Sequence, residues 1–274
     1  MNPLEDNAGD IIGKAQRGLR ISDSQLAGKS SIGIEQIRKI RDGTFDEAAL
    51  RAIAPVLELD PDALVDLAQD RWRPNELKNF DALSQVTTDY DGMKVNSYLV
   101  WDEQSKDAVA FDTGADSSSM LKVATKENLS IKMILLTHAH GDHIADLPRL
   151  REETGAQVFA PERELVPGAT AIAEGKTLCV GQIEIEARLT SGHSPGGMTF
   201  VCKGLARPVA IVGDSLFAGS MGGGNVSYQD AVRNNLEKIL TLPNDTIICP
   251  GHGPMTSVGE EKQHNPFFAA SFRK

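Results

Sequence analysis

Residues 1 to about 72 repeat apolar side chains at helical intervals and show no strand pattern. Ile34, Ile37 and Ile40 are typical, because residues three apart lie on one face of a helix. Residues that end or begin helices, such as Asp42 and Gly43, separate the apolar segments. The pattern therefore predicts a bundle of about five short helices in this part of the chain.

The remainder of the chain changes to short apolar runs separated by turn residues, with three helical patterns between them. The predicted strands are Lys94–Trp101, Ala108–Phe111, Ile131–Leu136, Val158–Ala160, Ile183–Leu189, Met198–Cys202, Val209–Val212 and Thr246–Cys249, and the predicted helices are Ser118–Lys126, Leu147–Thr154 and Gln229–Leu240. Strands that alternate with helices predict an α/β layered domain. Pro74 discourages continuation of the preceding helix, so we place a helical domain at residues 1–72, a linker at 73–81 and a second domain at 82–274.

Composition and charge are those of a soluble globular protein, with 41% hydrophobic and 24% charged residues. The net charge of −10 disfavours general binding to nucleic acid, which requires clustered Lys and Arg. The three cysteines form no CxxC pair, and we interpret them as buried reduced thiols. The acidic N-terminus lacks a signal-peptide pattern, and no apolar run approaches the roughly 20 residues of a membrane span. We therefore predict a cytoplasmic protein that does not contact membranes.

Three of the six histidines lie within one segment of six residues, His138 to His143, which also contains His140 and Asp142. A hydrophobic core has no packing reason for three imidazoles beside a carboxylate. The preceding apolar run, residues 133–136, predicts a buried strand that delivers this segment to its C-terminal end, where α/β proteins place their sites. Imidazole and carboxylate groups are ligands for zinc and iron. The segment therefore predicts a metal site that faces two adjacent ions.

Three further residues repeat this design, in which an apolar strand ends in a Gly-flanked ligand. His193 follows the predicted strand Ile183–Leu189, and His252 follows Thr246–Cys249. Asp214 comes directly after Gly213 at the end of a third predicted strand. Each signal is weak alone, but together they bring five of the six histidines into one constellation.

The order His-x-His-x-Asp-His, then His, then Asp, then His resembles the metal signature of the metallo-β-lactamase superfamily, and of its glyoxalase II-like branch in particular. The segment Asp112-Thr113-Gly114 also matches a recurring turn of that fold. The resemblance covers about residues 80–274. It implies an α/β four-layer αβ/βα sandwich, here preceded by a small all-α domain.

The resemblance further implies two divalent metal ions per chain. It assigns His138, His140 and His193 to the first ion, Asp142, His143 and His252 to the second, and Asp214 to a bridge between them. We expect zinc, with iron and manganese as alternatives that the same ligands accept. Such a pair would share a hydroxide that attacks an ester or thioester carbonyl, and Asp142 would orient this nucleophile as a catalytic residue.

The resemblance leaves the substrate open. Glyoxalase II carries a long C-terminal extension that grips glutathione, whereas only 22 residues follow His252 here. We therefore expect a hydroxyacylglutathione hydrolase-like enzyme acting on a small ester or thioester, with lactone hydrolysis and sulfur dioxygenation as alternatives. Asp214, where class B β-lactamases usually have Cys, disfavours antibiotic hydrolysis. His140, where the flavodiiron branch has Glu, disfavours that branch.

The helical domain has a resemblance of its own. Residues 24–30 followed by residues 34–43 are similar to the helix-turn-helix of phage-repressor-like domains, in which Gln36, Arg38, Lys39 and Arg41 would contact DNA. However, residues 1–72 contain 9 Lys and Arg against 13 Asp and Glu, a net charge of −4 that disfavours DNA. The alternatives are a helical domain that forms a homo-oligomer or covers the active site, and a DNA-binding regulator whose second domain senses a ligand.

Three smaller expectations concern residues outside this signature. The run Gly219–Gly224 predicts a flexible loop that borders the metal cleft. We interpret Cys249 as a small buried residue of a strand rather than a metal ligand. His264, in a charged tail, is expected at the surface.

Overall fold

The computed structural model describes residues 3–76 and 81–273, so residues 77–80 of the predicted linker lie outside the described residues. The N-terminal region forms the predicted helical bundle. Its helices are α1 (Ala8–Leu19), α2 (Asp23–Ser30), α3 (Ile34–Arg41), α4 (Glu47–Ile53) and α5 (Pro61–Ala68), with a 3₁₀ turn over Ala54–Leu57. Asn7 and Ser22 cap α1 and α2 by accepting hydrogen bonds from backbone N–H groups of their first turns.

The second part of the chain alternates strands and helices as predicted. Its strands are β1 (Leu83–Tyr90), β2 (Met93–Trp101), β3 (Asp107–Phe111), β4 (Ser130–Leu135), β5 (Gln157–Pro161), β6 (Thr170–Ile172), β7 (Thr177–Val180), β8 (Ile183–Leu189), β9 (Met198–Lys203), β10 (Val209–Gly213), β11 (Ile247–Pro250) and β12 (Thr256–Ser257). Its helices are α6 (Ser118–Lys126), α7 (Gly141–Ile144), α8 (Leu147–Thr154), α9 (Tyr228–Asn234), which continues as a π-helical turn over Asn235–Ile239, and α10 (Val258–His264), followed by a 3₁₀ turn over Ala269–Ser271.

Four strands were not predicted from the sequence: β1, β6, β7 and β12. Strand β1 buries only Leu83 and Val86, so its hydrophobic alternation is weak. It is a strand because its full length pairs antiparallel with β2. Strands β6, β7 and β12 have two to four residues each, too few to show a period.

The strands form two six-stranded sheets in the orders β1-β2-β3-β4-β5-β6 and β12-β11-β10-β9-β8-β7. The inner faces pack against each other, with the rings of Phe111 and Phe200 5.6 Å apart. Helices α6 and α8 cover the outer face of the first sheet through residues such as Met120 and Leu150. Helices cover the outer face of the second sheet as well, so the predicted four-layer α/β architecture is confirmed.

The N-terminal helices belong to that last layer. Ile11 and Leu64 of the helical region lie in one buried cluster with Val201 and Ile248 of the second sheet. The backbone N–H of Asp60 also donates to the carbonyl of Pro266, at 2.7 Å. The division into domains at residues 1–72 and 82–274 stays a prediction, and the structure places both ranges around this shared core.

The C-terminal tail also packs against the helical region. The ring of His264 stacks on Trp72, with centroids 5.1 Å apart and planes 14° from parallel. His264, the last residue of α10, is therefore half-buried against Trp72, and its expected surface position is wrong.

The glycine-rich run after β10 is packed rather than free over its first part. The N–H of Gly219 donates to Glu261 Oε2 at 3.0 Å, and Asn265 Nδ2 donates to the carbonyl of Ser220 at 2.8 Å. Lys14 Nζ of α1 donates to the carbonyl of Met221 at 2.8 Å. These long-range bonds hold Gly219–Met221 in place, so the prediction of a flexible loop is wrong there.

The cysteines are all free thiols. Cys202 and Cys249 are buried, and burial raises the pKa of both thiols. Cys179 is exposed, which corrects the expectation of three buried thiols. Among the described residues, no helix has both the length and the apolar character needed to cross a bilayer.

Close packing of α1 against α9 leads to a first prediction. A Cβ added at Gly18 would lie 2.1 Å from Cδ2 of the Tyr228 ring. We expect Gly18→Ala to lower the free energy of unfolding by about 1–2 kcal/mol, because overpacking outweighs the gain in helix propensity. Gly28→Ala is the control: Gly28 is an exposed residue of α2 with no atom within 4 Å of the added Cβ, so this change should stabilise by about 1 kcal/mol. Urea unfolding measures both, and equal effects would contradict the packing argument.

Candidate metal centre

Four strand ends deliver the seven candidate ligands to one edge of the sandwich. Strand β4 leads into His138 and His140, and α7 presents Asp142 and His143 in its single turn. The other three candidates follow β8, β10 and β11, and are His193, Asp214 and His252. The structure therefore brings together all seven residues that the sequence pattern singled out.

Four of these residues form a first group that could hold a metal ion: His138, His140, His193 and Asp214. Nδ1 of His140 lies 3.0 Å from Nε2 of His138 and 3.1 Å from Nε2 of His193. Oδ2 of Asp214 lies 3.4 Å from Nε2 of His193. Three ring nitrogens and one carboxylate oxygen thus point to a single position.

The other three residues, Asp142, His143 and His252, form a second group. Oδ2 of Asp142 lies 3.3 Å from Nε2 of His252 and 3.6 Å from Nε2 of His143. Asp214 reaches this group too, with Oδ1 3.3 Å from Nε2 of His143 and Oδ2 3.4 Å from Nε2 of His252. The carboxylate of Asp214 therefore lies between the two groups.

Backbone and carboxylate acceptors fix the orientation of three imidazoles. Nδ1 of His193 donates to the carbonyl of Gly223 at 3.1 Å, and Nδ1 of His252 donates to the carbonyl of Lys94 at 2.6 Å. Nδ1 of His143 donates to Oδ2 of Asp112 at 2.8 Å. Because a carbonyl or carboxylate oxygen only accepts, Nδ1 carries a proton in each ring, which leaves Nε2 as the nitrogen that faces the centre.

Asp112 orients two candidate ligands through hydrogen bonds, a role that its place in a predicted turn did not reveal. Besides His143, it accepts hydrogen bonds from the backbone N–H of Thr137 at 2.7 Å and from Thr137 Oγ1 at 2.8 Å. Thr137 Oγ1 lies 3.0 Å from Nδ1 of His138. Asp112 is buried and therefore orients two of the candidate ligands, His143 directly and His138 through Thr137.

A second prediction follows for Asp112. We expect Asp112→Asn to weaken metal affinity by about 10–100-fold, because the amide accepts fewer of these hydrogen bonds. Asn tolerates the left-handed backbone of this position, where φ is 56°. Asp91→Asn is a matched control, since Asp91 is exposed and has φ of 50°. Chelator competition measures the affinity, and equal loss in both variants would contradict the role of the side chain.

Steric crowding explains why glycine occupies two positions next to the candidate ligands. A Cβ at Gly251 would lie 2.2 Å from Oδ1 of Asp214 and 2.7 Å from Cε1 of His143. Gly213 has φ of 50°, and a Cβ there would lie 2.5 Å from Oγ1 of Thr137. Side chains at these two positions would displace Asp214, His143 and Thr137, which explains why glycine stands beside the ligands in the sequence.

Electrostatic coupling within the centre is strong. Burial opposes ionisation of Asp214, yet His143 and His252 overcome it and hold the pKa of Asp214 well below its usual value. Burial likewise opposes protonation of His143 and His252, yet neighbouring carboxylates such as Asp214 raise their pKa values to about 10 and about 11. Burial lowers the pKa of His138 well below the usual value. The carboxylates of the centre thus require compensating positive charge close by.

The donor set fits divalent metal ions. Nε2 of His143 and Oδ1 of Asp214 are buried and form no hydrogen bond with any described residue. Zinc bound to imidazoles at about 2.0–2.1 Å in a tetrahedron separates two nitrogens by about 3.3 Å. The separations of 3.0 and 3.1 Å around Nδ1 of His140 are close to this value. Buried nitrogen and oxygen atoms that converge without hydrogen-bond partners are explained by a cation at their centre.

Three of the four side chains expected to contact DNA are bonded within the helical region. Nε2 of Gln36 donates to Asp46 at 2.6 Å, and Arg38 pairs with Glu35 at 2.8 Å. Arg41 pairs with Asp23 at 3.0 Å. Lys39 is exposed on α3. The helix-turn-helix assignment, DNA binding and oligomerisation through this region all stay predictions.

Similarity to known proteins agrees with the fold and the site. Hydroxyacylglutathione hydrolase GloC of Haemophilus influenzae is 28% identical over 197 residues, which are 63% of this chain and 92% of GloC. The crystal structure of the BLEG-1 B3 metallo-beta-lactamase has 30% identity and a TM-score of 0.61, and covers 68% of this chain and 98% of its own. TTHA1623, solved in a di-iron-bound form, has 27% identity and a TM-score of 0.57, and covers 68% of this chain and 100% of its own.

The family assignment rests on a match to the profile of a defined family. The sequence profile of the metallo-beta-lactamase superfamily matches residues 90–252, more than half of the chain. This range includes all seven candidate ligands and begins after the N-terminal helical region. The chain belongs to the metallo-beta-lactamase superfamily.

Proposed function

We propose that this chain is a dinuclear metal-dependent hydrolase of esters or thioesters. His138, His140 and His193 would hold one ion, Asp142, His143 and His252 would hold the other, and Asp214 would contact both. The observation that carries it is the position of Asp214, within 3.4 Å of Nε2 of His143, His193 and His252. We propose zinc for both positions, with iron and manganese as alternatives that His and Asp ligands accept.

The reaction depends on what these side chains hold and orient. When bound, two divalent ions polarise a carbonyl and lower the pKa of water to near 7. Burial opposes ionisation of Asp142, but its contact with His252 lowers the carboxyl pKa below the usual value. Asp142 is therefore ionised at neutral pH, and its oxygens can accept a hydrogen bond and so orient a water molecule for attack.

Thioesters suit this centre because of their leaving group. A thiol has an ordinary pKa of about 8.5, so it departs as a thiolate without a proton donor. An amide leaving group would need a general acid. The name of GloC as a hydroxyacylglutathione hydrolase supports the same substrate class. We therefore propose a small acyl thioester as the substrate, ahead of lactones.

The test combines metal analysis with a substrate panel. Protein reconstituted with zinc should contain close to two ions per chain and hydrolyse an acyl-glutathione or N-acetylcysteamine thioester. His140→Ala should abolish turnover, whereas His264→Ala should retain it, because His264 stacks on Trp72 away from the centre. Fewer than one ion per chain would contradict the proposal.

Two other outcomes would replace the hydrolase proposal. Oxygen uptake with a persulfide, without thioester hydrolysis, would indicate sulfur dioxygenase chemistry. Salt-dependent DNA binding without turnover of any substrate would indicate the regulator.

A further inference from the structure

A groove of about 590 Å³ lies between the end of α1 and the segment that precedes and begins α9. This volume is within the usual range of small-molecule sites, about 300–1,000 Å³. The residues that line it are Arg17, Gly18, Leu19, Arg20, Gly224, Asn225, Val226, Ser227, Tyr228 and Gln229. One wall thus comes from the N-terminal helical region and the other from the metallo-beta-lactamase fold.

The second wall is bonded directly to the candidate metal centre. The carbonyl of Gly223, next to the groove residue Gly224, accepts the hydrogen bond from Nδ1 of His193 at 3.1 Å. The backbone N–H groups of Val226 and Ser227 both donate to the carbonyl of Gly192, at 3.0 and 3.1 Å. The groove wall is therefore bonded both to the imidazole of His193, which we assign to the first ion, and to the backbone of the residue before it.

The groove is positively charged within an acidic protein. Arg17 and Arg20 are exposed, and no acidic residue is among the lining residues. Within the described ranges, neither guanidinium has a carboxylate within ion-pair distance, whereas Arg38, Arg41 and Arg51 of the same helical region all do. The whole chain has 38 acidic residues against 28 Lys and Arg. Two unpaired guanidiniums in this setting favour an anionic ligand.

The backbone between the two arginines is held in place. Gly18 packs so closely on Tyr228 that an added Cβ would lie 2.1 Å from the ring. Arg20 ends α1 in a left-handed conformation with φ of 56°, and its N–H bonds to the carbonyl of Arg17 at 3.2 Å. A fixed backbone reduces the conformational entropy lost when both side chains close on a ligand.

We propose that this groove binds the anionic part of the substrate, a thiol moiety that carries carboxylate or phosphate groups, while its acyl bond lies at the metal centre. The inference rests on the proposed thioesterase function and adds the substrate class. Planar guanidiniums recognise both kinds of anion through paired hydrogen bonds. Since α1 lies outside the matched residues 90–252, this contact is supplied by a part of the chain that the family profile does not contain.

The test compares thioesters that share an acyl group and differ in the charge of the thiol. We expect the double variant Arg17→Gln/Arg20→Gln to raise KM for an acyl-glutathione or acyl-coenzyme A thioester about tenfold, as loss of charge-assisted hydrogen bonds would do. KM for the neutral N-acetylcysteamine thioester and kcat for all three should stay within about twofold. Arg17→Lys/Arg20→Lys should recover only part of the loss, because it keeps the charge but not the paired hydrogen bonds of the guanidinium.

A matched control removes the same charge elsewhere. Lys122→Gln/Lys126→Gln acts on α6, on the outer face of the other sheet, and should leave every KM unchanged. If this control raises KM equally, net charge is responsible and the groove proposal fails. An equal rise for the neutral thioester would likewise overturn the proposal, since it would indicate a structural effect. In the Gln double variant, KM can rise more for the carboxylate-bearing acyl-glutathione or for the phosphate-bearing acyl-coenzyme A. The thioester with the larger rise identifies which anion the groove binds.

A binding measurement separates this inference from the function it rests on. Calorimetry with the free thiols, glutathione and coenzyme A, should show affinity that the Gln double variant loses about tenfold. If no thioester is hydrolysed but this binding remains Arg-dependent, the proposed function fails and the groove stands. If thioesters are hydrolysed with no dependence on Arg17 and Arg20, the groove proposal fails and the function stands.

Discussion

Asp214→Asn is expected to lower kcat/KM for the best thioester or ester substrate by about 10³-fold or more. The substitution keeps the size of the side chain and removes its negative charge from a position 3.3–3.4 Å from three imidazoles. If the carboxylate bridges two ions, the variant should also retain fewer than two ions per chain. Steady-state kinetics and elemental analysis of the same preparations measure both effects.

The control for this prediction is Asp116→Asn, which removes one charge from an exposed aspartate that pairs with Arg149. It should keep full metal content and activity within about twofold, since surface ion pairs contribute little. If Asp214→Asn retains two ions and more than a tenth of the activity, Asp214 does not bridge, and a dinuclear mechanism built on it is wrong.

Glu261→Gln is expected to change how stability depends on pH. Glu261 is buried in α10 and accepts hydrogen bonds from Gly219 N–H, Asn265 Nδ2 and Thr256 Oγ1. Burial is the dominant influence and raises the pKa of its carboxyl from 4.5 to about 8, although these donors act in the opposite direction. Between these two values the folded chain binds the proton that the unfolded chain has released.

The direction in which stability changes with pH follows from proton linkage. Because the folded state binds more protons between pH 4.5 and about 8, the free energy of unfolding falls as pH rises through that window, by on the order of 5 kcal/mol. Below pH 4.5 both states are protonated, and above pH 8 the loss is complete. Glu261→Gln imitates the neutral carboxyl and should remove this loss, so the variant is more stable than the parent at pH 8 to 9.

Urea unfolding of the metal-loaded protein at pH 5, 7 and 9 measures this difference, with Glu260→Gln as the neighbouring control. Glu260 is partly exposed and bonds Asn75 and Ser257, and its one contact with the buried network is a long hydrogen bond of 3.4 Å from Thr256 Oγ1. Other titrating groups contribute equally to parent and variant, so the difference curve isolates Glu261. Parallel curves for parent and Glu261→Gln would show that the carboxyl does not take up a proton on folding.

The sequence by itself predicted features with local causes. Helices Ser118–Lys126 and Leu147–Thr154 and strand Ile183–Leu189 have the predicted bounds, because each has a clear period and clear end signals within its own residues. The seven candidate ligands were also found locally, since each follows an apolar strand and ligand chemistry depends on residue type. Helix α10 was missed because it buries few residues, among them the acidic Glu261.

Only the tertiary structure decided which distant groups meet. Asp112 looked like a turn residue, and its bonds to His143 and Thr137 span 31 and 25 positions of the chain. Arg17 and Arg20 are ordinary helix-end residues until α1 packs on α9 and places them beside the loop of His193. Hydrophobic burial brings such residues together without regard to their separation in sequence, and no local pattern records it. The sequence therefore determined the chemistry available at the centre of this protein, and the packing of the N-terminal helices decided what surrounds it.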